Sequence, residues 1–195
     1  MFITIDGPDG SGKTTLARLL AAVLPTRRTT TYTAEPTDTP LGQEIRRILK
    51  TGTKAEQRTL TTLFVRDRRA HLKNFVMPEL AQGRIVVCDR YKYSTVCYQQ
   101  LQGVNLKRLI TINKDFIKPD YAFILNTDDI DVLIRRIVAR GQHDFFETRA
   151  YLTQISEIYN RIGDYFPDEN IIMLDAAQPL DALMKTILEQ VTEGL

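Results

Sequence analysis

Apolar residues along this chain gather into short β-branched runs, separated by longer stretches in which they recur every three or four positions. The runs are FITI at 2–5, TTTYT at 29–33, RIVVC at 84–88, YAFIL at 121–125 and IIML at 171–174. Strand-length runs alternating with helical periodicity predict an α/β domain, a five-stranded parallel sheet flanked by helices on both faces. Leu16, Leu19, Leu20, Val23 and Leu24 keep helical spacing, and Pro25 is expected to end that helix. A second helix is expected over Leu41–Leu49, where Ile45, Ile48 and Leu49 form an apolar face beside Arg46, Arg47 and Lys50. A third is expected from about Glu56 to Ala81, broken near Pro78. The polar stretch ARGQHDFFE at 139–147 interrupts two helical patterns and reads as a short lid.

Composition narrows the setting. The chain has 195 residues, 43% hydrophobic and 26% charged, enough for one domain over 1–195 with a full core. A net charge of +2 gives no broad basic field for nucleic acid or anionic membrane, so neither is expected as a partner and any anion site must be local. No stretch approaches eighteen consecutive apolar residues, and the N-terminus lacks an export pattern, so a cytoplasmic protein is expected. Cys88 and Cys97 are too few for a disulfide framework, and no Cys/His cluster has zinc spacing.

The chemistry begins directly after the first apolar run, in GPDGSGKTT. Gly7, Gly12, Lys13 and Thr14 match G-x-x-x-x-G-K-[ST], placed between a strand and a helix as that motif requires. Glycines let successive N–H groups turn inward toward phosphate oxygens, and the following helix adds the positive end of its dipole. Lys13 supplies a point charge to the β- and γ-phosphates, and the Thr14 hydroxyl is placed to ligate Mg²⁺. Asp9 is a carboxylate inside an anion-binding loop, which makes sense only beside a metal, an arginine or a sugar hydroxyl.

A second polar strand end follows at RIVVCDRY, 84–91. If that strand lies beside the first, Asp89 reaches the Mg²⁺ region next to Thr14, and Arg90 can take another phosphate group. Upstream, Phe64 and Arg68 stand at i and i+4, on one face of a helix. An aromatic ring plus a donor fork suits a flat base with carbonyl acceptors. Asn113-Lys114-Asp115 resembles a guanine-reading element only superficially, since its spacing is wrong and it precedes a strand rather than ending one.

In this order, FITIDGPDGSGKTT, AEPTDTPLGQEIRRIL, LFVRDRRAH, DRYKYSTVCYQ, the FE…YL…Y pattern at 146–159 and LDAAQP at 174–179 resemble the thymidylate kinase family of P-loop nucleoside monophosphate kinases, over nearly the whole chain. The resemblance implies a three-layer P-loop kinase fold that moves a phosphoryl group from ATP to dTMP with Mg²⁺. It implies ATP contacts at Gly7, Pro8, Asp9, Gly10, Ser11, Gly12, Lys13, Thr14, Thr15, Arg136, Ala177 and Gln178. It implies dTMP contacts at Asp9, Pro36, Phe64, Arg68, Arg90, Ser94, Thr95, Tyr98 and Gln99, with Phe64 stacking on the base and Tyr98 sitting where a 2′-hydroxyl would lie. Metal ligation falls to Thr14 and Asp89, and catalysis to Lys13, Asp89, Arg140 and Arg149.

The sequence departs from the family at two positions. Ala34 stands where many relatives have arginine and Thr37 where many have glycine, which shifts acceptor-phosphate binding to Arg90, helped by an arginine such as Arg66 or Arg69. The phosphate loop also lacks the arginine some members place there, so the lid arginines Arg140 and Arg149 are expected to close over the transferring group, with Arg135 and Arg136 as alternatives. A homodimer, through helices after the second and third strands, is a further implication. Phosphorylation of another monophosphate such as dUMP, or non-catalytic nucleotide binding, remains open at this point.

Overall fold

The computed structural model describes residues 1–24, 28–141 and 148–192. Pro25 and positions 142–147 of the expected lid lie outside the described residues. The elements run β1 (Phe2–Asp6), α1 (Lys13–Val23), β2 (Thr30–Ala34), α2 (Pro40–Thr51), α3 (Lys54–Gln57), α4 (Leu60–His71) and α5 (Met77–Ala81). They continue with β3 (Ile85–Asp89), α6 (Lys92–Leu101), α7 (Leu106–Asn113), β4 (Tyr121–Asn126), α8 (Ile130–Ala139), α9 (Arg149–Asn160), α10 (Ile162–Tyr165), β5 (Ile171–Asp175) and α11 (Leu180–Thr192).

The strands form a parallel five-stranded sheet in the order β2-β3-β1-β4-β5, each within one residue of the apolar run that announced it. Strand alternation sorts the core into two layers. Ile3, Ile5, Ile85, Val87, Phe123 and Leu125 face α1 and α11. Phe2, Val86, Cys88, Ala122 and Ile124 face the helices α6, α7, α8 and α9. A smaller cluster of Ile45, Ile48 and Leu60 joins α2 to α4 and brings Phe64 with it.

Two helix expectations change. Thr39 caps α2, its hydroxyl accepting from Gly42 N–H, with Pro40 at the first turn, so that helix runs longer than 41–49. The stretch 56–81 is divided near its start rather than at Pro78: α3 ends at Gln57 and α4 begins at Leu60. Pro78 causes no break because Leu72–Val76 winds as a π-helix, and Met77 N–H bonds back to Leu72 C=O before the proline. The wider turn leads the chain smoothly into a residue that cannot donate.

Register aligns the site. Ile5 pairs with Asp89, and Ala34 pairs with Asp89 on the other side, so the carboxyl ends of β1, β2 and β3 finish level with one another. From β1 the chain leaves toward β2 on one side of the sheet, and from the adjacent β4 it leaves toward β5 on the other, the crevice position of open parallel sheets. Behind it, Lys92 is completely buried, pairs with Glu169 at 2.7 Å, and is ringed by Tyr91, Tyr93 and Phe166. Burial lowers the pKa of this ammonium, and the Glu169 bond opposes that shift. Glu169→Leu strips the charge of its partner and is expected to cost about 3–5 kcal/mol in urea unfolding; a loss under 1 kcal/mol would mean that Lys92 is neutral or hydrated.

Candidate active site at the sheet's carboxyl edge

The phosphate loop wraps between β1 and α1 because two glycines leave no alternative. A Cβ on Gly7 would stand 2.2 Å from the Leu125 carbonyl oxygen, and one on Gly10, at φ +80°, 2.5 Å from that of Leu133. Gly12 is the N-cap of α1 and offers no side chain, so the first-turn N–H groups of α1 keep no side-chain cap. These groups open into a cavity of about 570 Å³ lined by Gly10 through Thr15, with Arg136, Arg140 and Gln178 on its far wall. Arg136 donates to Ala176 C=O at 2.7 Å and to Ser11 C=O at 3.3 Å, tying the loop after β5 to the phosphate loop. Among the residues expected on this side, Gly7, Pro8, Asp9 and Ala177 do not line the cavity: Pro8 C=O accepts from Lys13 Nζ at 3.1 Å, Asp9 lines the neighbouring cavity instead, and Ala177 N–H bonds to Asp175.

Thr14 and Asp89 meet as anticipated, the hydroxyl donating to Asp89 Oδ2 at 2.5 Å. Asp89 Oδ1 is buried and has no partner among the described residues. An unpartnered carboxylate oxygen beside a hydroxyl at a phosphate loop is the donor set a hard divalent cation takes. Glu35, His71 and Cys88 also bring ligating atoms within 4.8 Å of one another. That cluster is already satisfied: Glu35 holds Arg68 and His71, His71 Nε2 meets Thr33, and Cys88 Sγ reaches Arg90 C=O.

A second cavity, of about 250 Å³, lies across the loop, and all nine residues expected to touch dTMP line it: Asp9, Pro36, Phe64, Arg68, Arg90, Ser94, Thr95, Tyr98 and Gln99. Arg90 sits at φ +67°, a left-handed conformation disfavoured for a residue with a side chain. Its N–H bonds to Ile5 C=O at 2.9 Å, and its guanidinium spans Asp9 and Ser94. The backbone strain aims the fork into the cavity. Tyr98 lies under Arg90 and donates its hydroxyl to Asp9 at 2.9 Å. Burial opposes ionisation of Asp9, yet Arg90, Lys13 and the Tyr98 hydroxyl outweigh it and hold this carboxyl well below the usual range.

The structure separates the arginines that the sequence left together. Arg140 lines both cavities. Arg149 lines neither and pairs with Asp131 of α8 at the surface. Arg66 and Arg69 are exposed on the outer side of α4 and line neither cavity, so neither assists Arg90 there, a correction that follows from Arg68 taking the inward face.

Sequence reasoning missed Asp6, Glu35, His71 and Tyr159. Asp6 is fully buried and accepts from Ser94 N–H at 2.9 Å and from the Ser94 hydroxyl, which in turn accepts from Arg90 and contacts Tyr159. Burial pushes Asp6 up to about 6, against the Ser94 bonds and the charges of Arg90 and Arg68. The available signal was its place: a carboxylate ending a largely apolar strand, immediately before the loop.

Comparison with known proteins gives one consistent result. A family model described as thymidylate kinase matches residues 5–187. A probable thymidylate kinase of Pyrococcus horikoshii is 36% identical over 178 residues, covering 88% of this chain and 86% of that protein. One from Methanocaldococcus jannaschii is 35% identical over 178 residues, 91% of this chain and 88% of that protein. A thymidylate kinase of Brachyspira hyodysenteriae is 30% identical over 189 residues, 96% and 93% respectively.

Lys13 carries a pH signature. Burial, then the charge of Arg90, bring it down to about 8, against the pull of Asp9, Asp89 and Asp6. A lowered ammonium pKa means that the free protein loses this proton as pH rises through 8, and a bound triphosphate restores it by stabilising the charged form. Calorimetry in buffers of different ionisation enthalpy should therefore show proton uptake on ATP binding that grows between pH 7 and pH 8.5. Uptake that stays flat across that range would contradict a depressed Lys13.

Proposed function

Because the chain belongs to the thymidylate kinase family, we propose that it transfers the γ-phosphoryl group of ATP to the 5′-phosphate of dTMP, giving dTDP and ADP on the route to dTTP. The observation that carries this reading is the pair of cavities that meet at the phosphate loop and share Arg140. The larger has the loop N–H groups, Lys13 and the Arg136-braced loop, a setting for a triphosphate. The smaller has an aromatic face, a buried guanidinium and Arg90, a setting for a base bearing carbonyls at one end and a phosphate at the other.

Phosphoryl transfer asks the protein for position and charge rather than for a covalent intermediate. Lys13 neutralises the outer donor phosphates, and Arg90, aimed by its own backbone, holds the acceptor phosphate. Asp9 fixes Arg90 and Tyr98 together, leaving the ring of Tyr98 against the sugar, which disfavours a 2′-hydroxyl. Phe64 covers the base, while Arg68, Thr95 and Gln99 meet its polar edge. Arg140 stands at the seam and stabilises charge on the group in flight. Thr14 and Asp89 would hold Mg²⁺, which when bound spreads the charge of the donor phosphates. The reading extends to a cytoplasmic homodimer, the arrangement the family resemblance implies.

One coupled assay tests the function: dTMP, dUMP, dCMP, UMP and thymidine compared at equal ATP and Mg²⁺, with dTMP expected as the preferred acceptor and thymidine inert. No turnover of dTMP would sink the reading. For the mechanism, Arg140→Ala should lower kcat by about 10- to 100-fold with a smaller change in KM for dTMP. Arg149→Ala, which breaks a surface pair, should stay within about threefold of wild type. The reverse ranking would move the catalytic role to Arg149.

A further inference from the structure

Arg68 is almost wholly buried, and its guanidinium is held from three directions: Nε donates to Glu35 Oε2 at 2.8 Å, Nη2 to Thr95 Oγ1 at 2.9 Å, and Nη1 to Asn113 Oδ1 at 2.7 Å. Its flat faces are covered by Tyr91 and Phe116, with ring centroids 5.2 and 5.5 Å away. Glu35 and Thr95 line the cavity themselves. Asn113 does not: it is the last residue of α7, completely buried, on the far side of the guanidinium.

Only one orientation of the Asn113 amide works. Its Nδ2 donates to Leu109 C=O at 2.8 Å, one turn back in α7, which leaves Oδ1 facing Arg68. The flipped amide would set a donor against a donor on one side and an acceptor against an acceptor on the other. Helix α7 thus presents a fixed acceptor to Nη1. With Nε and one hydrogen of each terminal nitrogen engaged, the two N–H groups that remain on the fork have a single plane and direction in which to meet a ligand.

The geometry points to Asn113 as a positioning residue for recognition of the nucleobase, acting through Arg68 without touching the substrate. This rests on the reading that the smaller cavity takes dTMP. It also gives a place to the Asn113-Lys114-Asp115 stretch that fits no guanine-reading element: the asparagine serves the base through an arginine rather than directly. Removing the acceptor leaves a buried, charged N–H unpaired, so the fork turns to find another partner and its free donors leave the base edge.

The test is dTMP binding by calorimetry on the full chain, for wild type, Asn113→Leu, Asn113→Asp, Arg68→Ala and the Asn113→Leu/Arg68→Ala double variant, with KM for ATP and kcat at saturating dTMP alongside. Asn113→Leu is expected to weaken dTMP binding about tenfold, the loss of one charge-assisted hydrogen bond, with KM for ATP and kcat within about twofold. Asn113→Asp keeps an acceptor for Nη1 but sets a carboxylate oxygen against Leu109 C=O, so it should recover part, not all, of the dTMP affinity that the leucine variant loses. In the Arg68→Ala background the leucine should add less than about twofold, because its effect travels through the guanidinium. Unchanged dTMP binding in Asn113→Leu, or the same loss in both backgrounds, would overturn the assignment. Should the leucine variant not fold, Asn113→Ala carries the same comparison. A wild type that neither binds nor phosphorylates dTMP would instead overturn the functional reading beneath it, a result read before any variant is made.

Discussion

The pairing of Asp9 with Arg90 is the contact on which the site depends. Asp9 belongs to the phosphate loop after β1, and Arg90 to the turn after β3; their contact joins two strand ends that the sheet register has already brought level. Tyr98 and Lys13 reach the same carboxylate from α6 and α1. One half-buried anion therefore gathers Lys13, Arg90 and Tyr98, which the proposed function assigns to donor, acceptor and sugar. Without it, two cations would face each other across the loop, and their repulsion would open the seam where the transferring group must pass.

The supports of this pair form a graded series. Arg90 keeps a left-handed backbone only because Ile5, Cys88 and the buried Tyr91-Lys92-Tyr93 segment hold the turn from every side. Asp6 accepts from Ser94, and Ser94 accepts from Arg90, so a carboxylate with no access to the cavity sets the direction of hydrogen bonding inside it. The same logic recurs at Arg68, held by Glu35 at the cavity wall and by Asn113 from behind. Arg90 and Arg68 are thus each oriented by a buried acceptor, so their orientation is fixed before a ligand arrives.

This layering explains what was legible in the sequence. Asp9, Lys13, Thr14, Asp89, Arg90, Phe64 and Arg68 stand in local patterns, a loop motif or a strand end or an i, i+4 pair, and local patterns survive in a linear text; Pro36, Ser94, Thr95, Tyr98 and Gln99 were reached only through the family resemblance. The five strands were legible for the same reason, β1, β3 and β4 as apolar runs buried on both faces and the half-exposed edge strands β2 and β5 as β-branched runs. Asp6, Glu35 and Asn113 were not, since each is defined by a partner 33 to 88 positions away. The continuity of the helix through Pro78 was hidden because a π-helical turn absorbs the proline, whereas proline alone reads as a break. Arg140 and Arg149 stand at the two ends of the expected lid in the sequence; Asp131, in the first turn of α8, draws Arg149 aside.

Charge balance extends the same reasoning to the substrates. Lys13, Arg90 and Arg140 are set against Asp6, Asp9 and Asp89 around the loop, three cations to three carboxylates in a largely desolvated space. Such a site is near neutrality before any nucleotide enters, in keeping with a chain whose net charge is only +2. A triphosphate and a monophosphate together bring several negative charges into it, more than Arg136 at the cavity wall can offset. The deficit is met most economically where a carboxylate oxygen is already desolvated and unpartnered, at Asp89 beside Thr14. In the proposed reading, with Ala34 where the resemblance expects an arginine, the acceptor side rests on Arg90 and on the strained turn that aims it.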